Sequence, residues 1–156
     1  MGVSIKLQGI GEVEKALRDL EIEFGDKLAQ SKVLVPAVRE AMKPVLQQAK
    51  TLAPKDTTGL MRSLIIEARR PTRRDRRSKY ITQSDTVIAA VTTASGKKLA
   101  KMGIKSDARA IAQEFGTAKH GAKPYLRPAL ENNAQGTVER LANILSRRIA
   151  QFKAKF

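Results

Sequence analysis

Apolar positions along this chain recur at two periods, and the change from one to the other divides it into regions. Leu17, Leu20, Phe24 and Leu28 fall at steps of three and four, which places them on one face of a first helix. Val38, Met42, Val45, Ala49 and Leu52 repeat that spacing with Lys and Gln on the opposite side. Gly9 and Gly11 punctuate the entry to the first helix, and Gly25 divides it from the next. Pro36 suits a first helical turn, whereas Pro44 lies inside the second stripe and predicts a kink or a break there. Val138, Leu141, Leu145, Ile149 and Phe152 make a third and longer stripe. It ends in Lys153 and Lys155, which oppose the negative end of the helix dipole.

In the middle of the chain the period shortens. Leu64-Ile65-Ile66 and Val87-Ile88-Ala89-Ala90-Val91 are short, largely β-branched runs bounded by polar residues, as expected of paired strands. Residues 3 to 7 alternate like a short edge strand, and Lys55-Asp56-Thr57-Thr58-Gly59 has the small polar composition of a turn that caps the next element. Residues 108 to 115 read as a short helix or strand. The order predicts an α+β fold: a small antiparallel sheet packed by two N-terminal helices and a long C-terminal helix, in a single domain over residues 1 to 156.

Composition narrows the function. Hydrophobic residues make up 42% but aromatics only 4%, so the core must come from Leu, Ile, Val and Ala. The helical stripes read first as ordinary core, with partial use of one as a subunit interface the competing reading. The chain has no Cys, which removes disulfides and thiolate chemistry together and fits synthesis in a reducing compartment. No run approaches the roughly 18 apolar residues of a membrane span, so the expectation is a soluble protein made in the cytoplasm, with no membrane partner. The single His120 sits in a Gly-flanked, Lys-rich stretch and reads as a solvated loop residue. Neither Glu114 nor Asp107 has an evident partner in the sequence, and the glycines match no phosphate-binding spacing. The chain is therefore read as no enzyme, with no cofactor, no metal and no small-molecule substrate.

Charge changes the picture most. The net charge is +15, and it is uneven: residues 1 to 50 carry 8 basic and 7 acidic side chains, residues 51 to 130 carry 17 and 6, and residues 131 to 156 carry 5 and 2. Such a concentrated positive field favours an anionic partner. Its densest part runs from Arg69 to Lys79, where Arg69, Arg70, Arg73, Arg74, Arg76, Arg77 and Lys79 face one acid, Asp75. Self-repulsion there predicts a mobile loop at about 69 to 80, and a second flexible basic segment is expected at about 93 to 106. Between Arg62 and Arg109 the only aromatic is Tyr80, so any nucleic-acid contact would run through the phosphate backbone instead of stacked bases.

Two segments carry a resemblance. Ala53-Pro54-Lys55-Asp56-Thr57-Thr58-Gly59-Leu60-Met61-Arg62-Ser63-Leu64 resembles the signature turn of the gene-product-ten-like neck and tail-completion family of long-tailed bacteriophages. Glu114-Phe115-Gly116-Thr117, followed by Pro124-Tyr125-Leu126-Arg127-Pro128-Ala129-Leu130, is similar to a second segment of that family, and the order of flanking elements also agrees. The turn is one Thr longer than the family's, Tyr125 stands where Phe is commoner, and Ala108 to Gln113 lacks the family's aromatics. The arginine segment is longer and more charged than the family's, so its role is not inherited.

The resemblance implies a structural virion protein of the phage neck or upper tail, made in the bacterial host cytoplasm. It implies a ring of copies, six-fold to match the tail, in contact with tail-terminator, tail-tube and head-closure or connector proteins, with genomic DNA crossing the channel. Pro54, Asp56, Thr57, Gly59, Leu60, Arg62 and Ser63, with Glu114, Phe115, Gly116, Thr117, Pro124, Tyr125, Leu126, Arg127 and Pro128, are then structural and interface residues. Among them Phe115, Tyr125 and Leu126 are expected to seat the closing helix, while Arg127 makes an ion pair or carbonyl contact. The alternative is a nucleic-acid-binding protein that uses the basic region from 69 to 109 for phosphate contacts.

Overall fold

A computed structural model of the chain describes residues 11–53, 58–79, 81–83, 85–103, 114–119 and 121–155. The expected edge strand at 3 to 7, Gly9, Asp107 and His120 lie outside these residues. The described fold is α+β: several helices and one two-stranded antiparallel sheet, closed by a long C-terminal helix.

Helix α1 spans Gly11–Phe24 and α2 Asp26–Ala29. Gly25 separates them at φ 89°, a left-handed conformation that residues with a Cβ adopt only at a cost. The helical register restarts there. Leu28 is consequently turned outward, and Ala29 and Val33 take the core face beside Leu20. A wide π turn at Gln30–Leu34 leads into α3, Val35–Ala41, with Pro36 in its first turn, where the missing N–H costs no helical bond. The break predicted from Pro44 occurs at Met42, and α4 runs Lys43–Leu52. Along α4 the inward positions are Val45 and Ala49 and then Ala53 just past its end, a strict four-residue step that leaves Leu52 exposed.

Helix α5, Thr58–Ser63, passes directly into strand β1, Leu64–Arg69, which pairs with β2, Ile88–Thr93. Both strands lie where the β-branched runs predicted them. β1 extends further than expected, so Arg69 is a strand residue. Helix α6, Gly96–Lys101, follows β2, with the Ser95 hydroxyl accepting a bond from the Lys98 N–H at its N-terminus. The basic segment expected to be flexible from 93 to 106 thus holds a capped helix in its described part. Helix α7 is Leu126–Lys153 and begins before Pro128, because proline is tolerated in a first turn whose N–H groups lack helical partners anyway.

The chain contacts fall into two compact units. The first takes its described residues from Met1–Met42, Glu67–Ala90 and Gln135–Phe156. Its core is Leu20, Ala29, Val33, Leu34, Ala37, Leu145 and Ile149, so α1, α2 and α3 bury their stripes against the second half of α7. Fully burying a side chain such as Leu20 stabilises by roughly 1.5–3 kcal/mol. Phe24 and Phe152 meet edge to face, with ring centroids 5.1 Å apart. On the surface of this unit Glu40 accepts hydrogen bonds from Arg147 at 2.6 Å and Arg148 at 2.8 Å. Arg39 donates to the Ala68 carbonyl at 3.2 Å, tying α3 to β1.

The second unit takes its described residues from Lys43–Ile66 and Val91–Ala134. Its interior is built from Val45, Ala49, Ala53, Leu60, Leu64, Leu99, Tyr125 and Ala129, rich in alanine as the aromatic-poor composition requires. The Ala94 N–H donates to the Ser63 carbonyl at 2.8 Å, continuing the pairing of the strands past their ends. Asn133 on α7 hydrogen-bonds Gln48 on α4. No helix among the described residues is long and apolar enough to cross a membrane.

Candidate functional site

The first turn of a helix presents four backbone N–H groups with no partner inside the helix. At the start of α7 these belong to Tyr125, Leu126, Arg127 and Pro128, and proline has none to offer. The stretch before the helix, Lys123-Pro124-Tyr125, contains no Ser, Thr, Asp or Asn to act as a local cap. Glu114 takes that role from a distance. Its carboxylate accepts the Tyr125 N–H at 2.8 Å, the Leu126 N–H at 2.9 Å and the Arg127 N–H at 3.0 Å, which satisfies every donor of the turn. Burial pushes the Glu114 carboxyl up, but the three backbone N–H bonds and the Arg127 charge outweigh it and hold the group below its ordinary value. The positive end of the α7 dipole favours the same ionised form.

This clamp joins the two halves of the second family-like segment. Gly116 turns the chain at φ 78° directly after Glu114 and Phe115, which are helical. Tyr125 is buried at 1% exposure and Leu126 is half-buried, so these two do seat the closing helix. Phe115 does not, because it is 69% exposed. Glu114, its neighbour, points inward to the α7 amides, and the following side chain is left on the outer side. Arg127 is exposed and acts through its backbone N–H and its charge toward Glu114. Thr117 accepts the Lys119 N–H at 3.3 Å, Pro124 is exposed and Pro128 is half-buried.

The other family-like segment is described only in part. Pro54, Asp56 and Thr57 lie outside the described residues. Within α5, Gly59 is half-buried, Leu60 and Ser63 are buried, and the Ser63 hydroxyl donates to the Leu60 carbonyl at 2.6 Å. Arg62 points to solvent.

The arginine segment departs from the self-repelling loop that its composition predicts. Asp75, the single acid, sits at its centre and receives both arms of the Arg69 fork, at 2.5 and 3.0 Å. The Thr72 N–H and hydroxyl each donate to the same carboxylate at 2.7 Å. These bonds close a 3-10 turn at Asp75–Arg77 and hold the Asp75 carboxyl far below the ordinary carboxylate range, the Arg69 bond being the largest cause. Arg76 reaches across the segment to the carbonyls of Thr82 at 2.7 Å and Asp85 at 3.2 Å. Arg69 and Arg76 are therefore structural. Arg70, Arg73, Arg74, Arg77 and Lys79 are exposed.

Composition missed these acids because it counts charges and not positions. One signal was readable: Glu114 is the only acid between Ala108 and Leu130, and α7 has no local cap. Taken together, those two facts single it out. No family model, no curated protein and no solved structure matches the chain.

Proposed function

We propose that the chain is a structural subunit of the neck or upper tail of a long-tailed bacteriophage, assembling as a six-fold ring that completes the tail and joins it to the filled head. The reading rests on the resemblance of the Ala53 to Leu64 and Glu114 to Leu130 segments to the neck and tail-completion family. The observation that carries it further is the arrangement at Glu114. A buried carboxylate fixes the second of these segments to α7, and Phe115, the next residue, is left 69% exposed. A large aromatic held outside the fold beside a rigid clamp suits contact with a neighbouring subunit, where aromatics are enriched. Neighbours in the virion would be the tail-terminator, tail-tube and head-closure proteins. The chain works by protein contact, without catalytic turnover.

The decisive experiment is deletion of the gene from its phage, with particles viewed by electron microscopy. Filled heads without attached, finished tails are expected. Normal infectious particles would overturn the reading.

A further inference from the structure

The Asp75-centred turn sorts the six arginines from 69 to 77 into those that build it and those that it displays. Arg69 is engaged by Asp75 and Glu67, and Arg76 by two carbonyls. The guanidinium groups of Arg70, Arg73, Arg74 and Arg77 make no hydrogen bond or ion pair among the described residues, and all four are exposed. In a 3-10 turn, side chains three residues apart eclipse, so Arg74 and Arg77 fall on one side of it. Such a fork binds a phosphate oxygen pair in plane, and anchoring its backbone beforehand lowers the ordering cost of binding.

We infer that Arg70, Arg73, Arg74 and Arg77 form a preorganised contact surface for the phosphate backbone of duplex DNA. The chemistry around them selects this partner. From Arg70 to Lys79 the chain has one apolar residue, Pro71, and the one aromatic beside it, Tyr80, lies outside the described residues. A face that docks a protein needs a desolvated apolar or aromatic centre within its charged rim, and the described residues from 70 to 79 supply none. Single strands and unpaired bases call for a series of stacking aromatics, and the basic region offers the single Tyr80. What remains is dense, bidentate positive charge on a held turn, and that matches a regular row of phosphates. The inference goes beyond the ring proposal and does not depend on it: a DNA contact here is measurable on the purified chain, whatever the chain assembles into.

The test uses the full chain and a duplex of about 30 base pairs, with affinity measured across a salt series. Changing Arg70, Arg73, Arg74 and Arg77 together to Ala should weaken binding at least about tenfold at moderate salt and flatten the salt slope by about 3 to 4. A control that removes four other exposed charges, Arg62→Ala with Lys97→Ala, Lys98→Ala and Lys101→Ala, should do markedly less. Equal losses would mean diffuse attraction to a basic protein and would overturn the site.

Asp75→Asn gives the sharper reading. It raises the net positive charge by one, so unstructured electrostatics requires tighter DNA binding. A built surface requires weaker binding, because the turn that displays the arginines is released. We expect a loss of about threefold or more; a gain overturns the proposal. If polyglutamate binds with the same dependence on the four arginines while duplex DNA does not bind, the face docks an acidic protein and the DNA assignment is wrong.

Discussion

Glu114 and Asp75 perform the same chemistry in opposite settings. Each is a single carboxylate that gathers donors from a short stretch of chain, and each is held ionised below its ordinary value. Glu114 is buried, and its partners are backbone N–H groups 11 to 13 residues away that open the longest helix of the fold. Asp75 lies on the surface, and its partners are Thr72 and the Arg69 fork, three and six residues away. The difference shows that a carboxylate's role is set by what would be orphaned without it. Removing Glu114 takes the carboxylate away from three amides of a buried to half-buried helix start. Removing Asp75 releases groups that water can solvate at once.

The largest effect should therefore come from Glu114→Ala. Three amides at the start of α7 lose their acceptor, and a loss of about 2–4 kcal/mol of unfolding free energy is expected from the usual penalties for caps and unsatisfied donors. Urea denaturation measures it directly. Glu114→Gln, which keeps one acceptor oxygen but gives up the charge, should fall between wild type and Ala. An Ala variant as stable as wild type would break the comparison, since it would mean that water already reaches these amides.

The contrast also explains what the sequence disclosed. Periodicity located α1, the strand pair and the long closing helix, because burying a stripe depends on spacing that any reader can count. It failed at Leu28 and Leu52, where Gly25 resets the register and where Ala53 completes the inward face of α4. Loop chemistry was harder to read. Seven bases against one acid suggested repulsion, yet Asp75 gathers Arg69 and Thr72 into a turn while Arg76 is held by the carbonyls of Thr82 and Asp85. The exposure of Phe115 was invisible for a related reason. Apolar character says that burial is favourable, but the direction of a side chain beside Gly116 is fixed by where Glu114 must point.

Acid should test the Glu114 clamp next, with a moderate effect. A group whose folded value is depressed binds fewer protons folded than unfolded, so its stabilisation is present above the unfolded value and is lost as pH falls toward the folded one. For Glu114 the loss begins near its ordinary value of 4.5 and proceeds below it. Urea midpoints taken at neutral pH and at about pH 3 should show a drop in wild type that is clearly smaller in Glu114→Gln. An equal drop in both would assign the acid sensitivity to other carboxylates held low by their partners, Asp75 by Arg69 and Glu40 by Arg147 and Arg148.

The smallest global effect belongs to Asp75→Ala, and its smallness is the informative part. Asp75 is half-buried at the surface and its partner Thr72 is exposed, so solvent can replace its bonds and the denaturation midpoint should be indistinguishable from wild type. Locally the change should be plain. The turn hydrogen bonds from the N–H groups of Arg76, Arg77 and Ser78 to the carbonyls of Thr72, Arg74 and Asp75 depend on the closed loop that Asp75 maintains. Amide exchange at these three positions should quicken by at least about tenfold, while the N–H groups of α7 keep their protection. Uniform quickening across the chain would make Asp75 a second Glu114, a support of the fold. Quickening confined to the turn leaves it as the support of a surface, where rigidity serves the arginines it displays and the rest of the fold is indifferent to its loss.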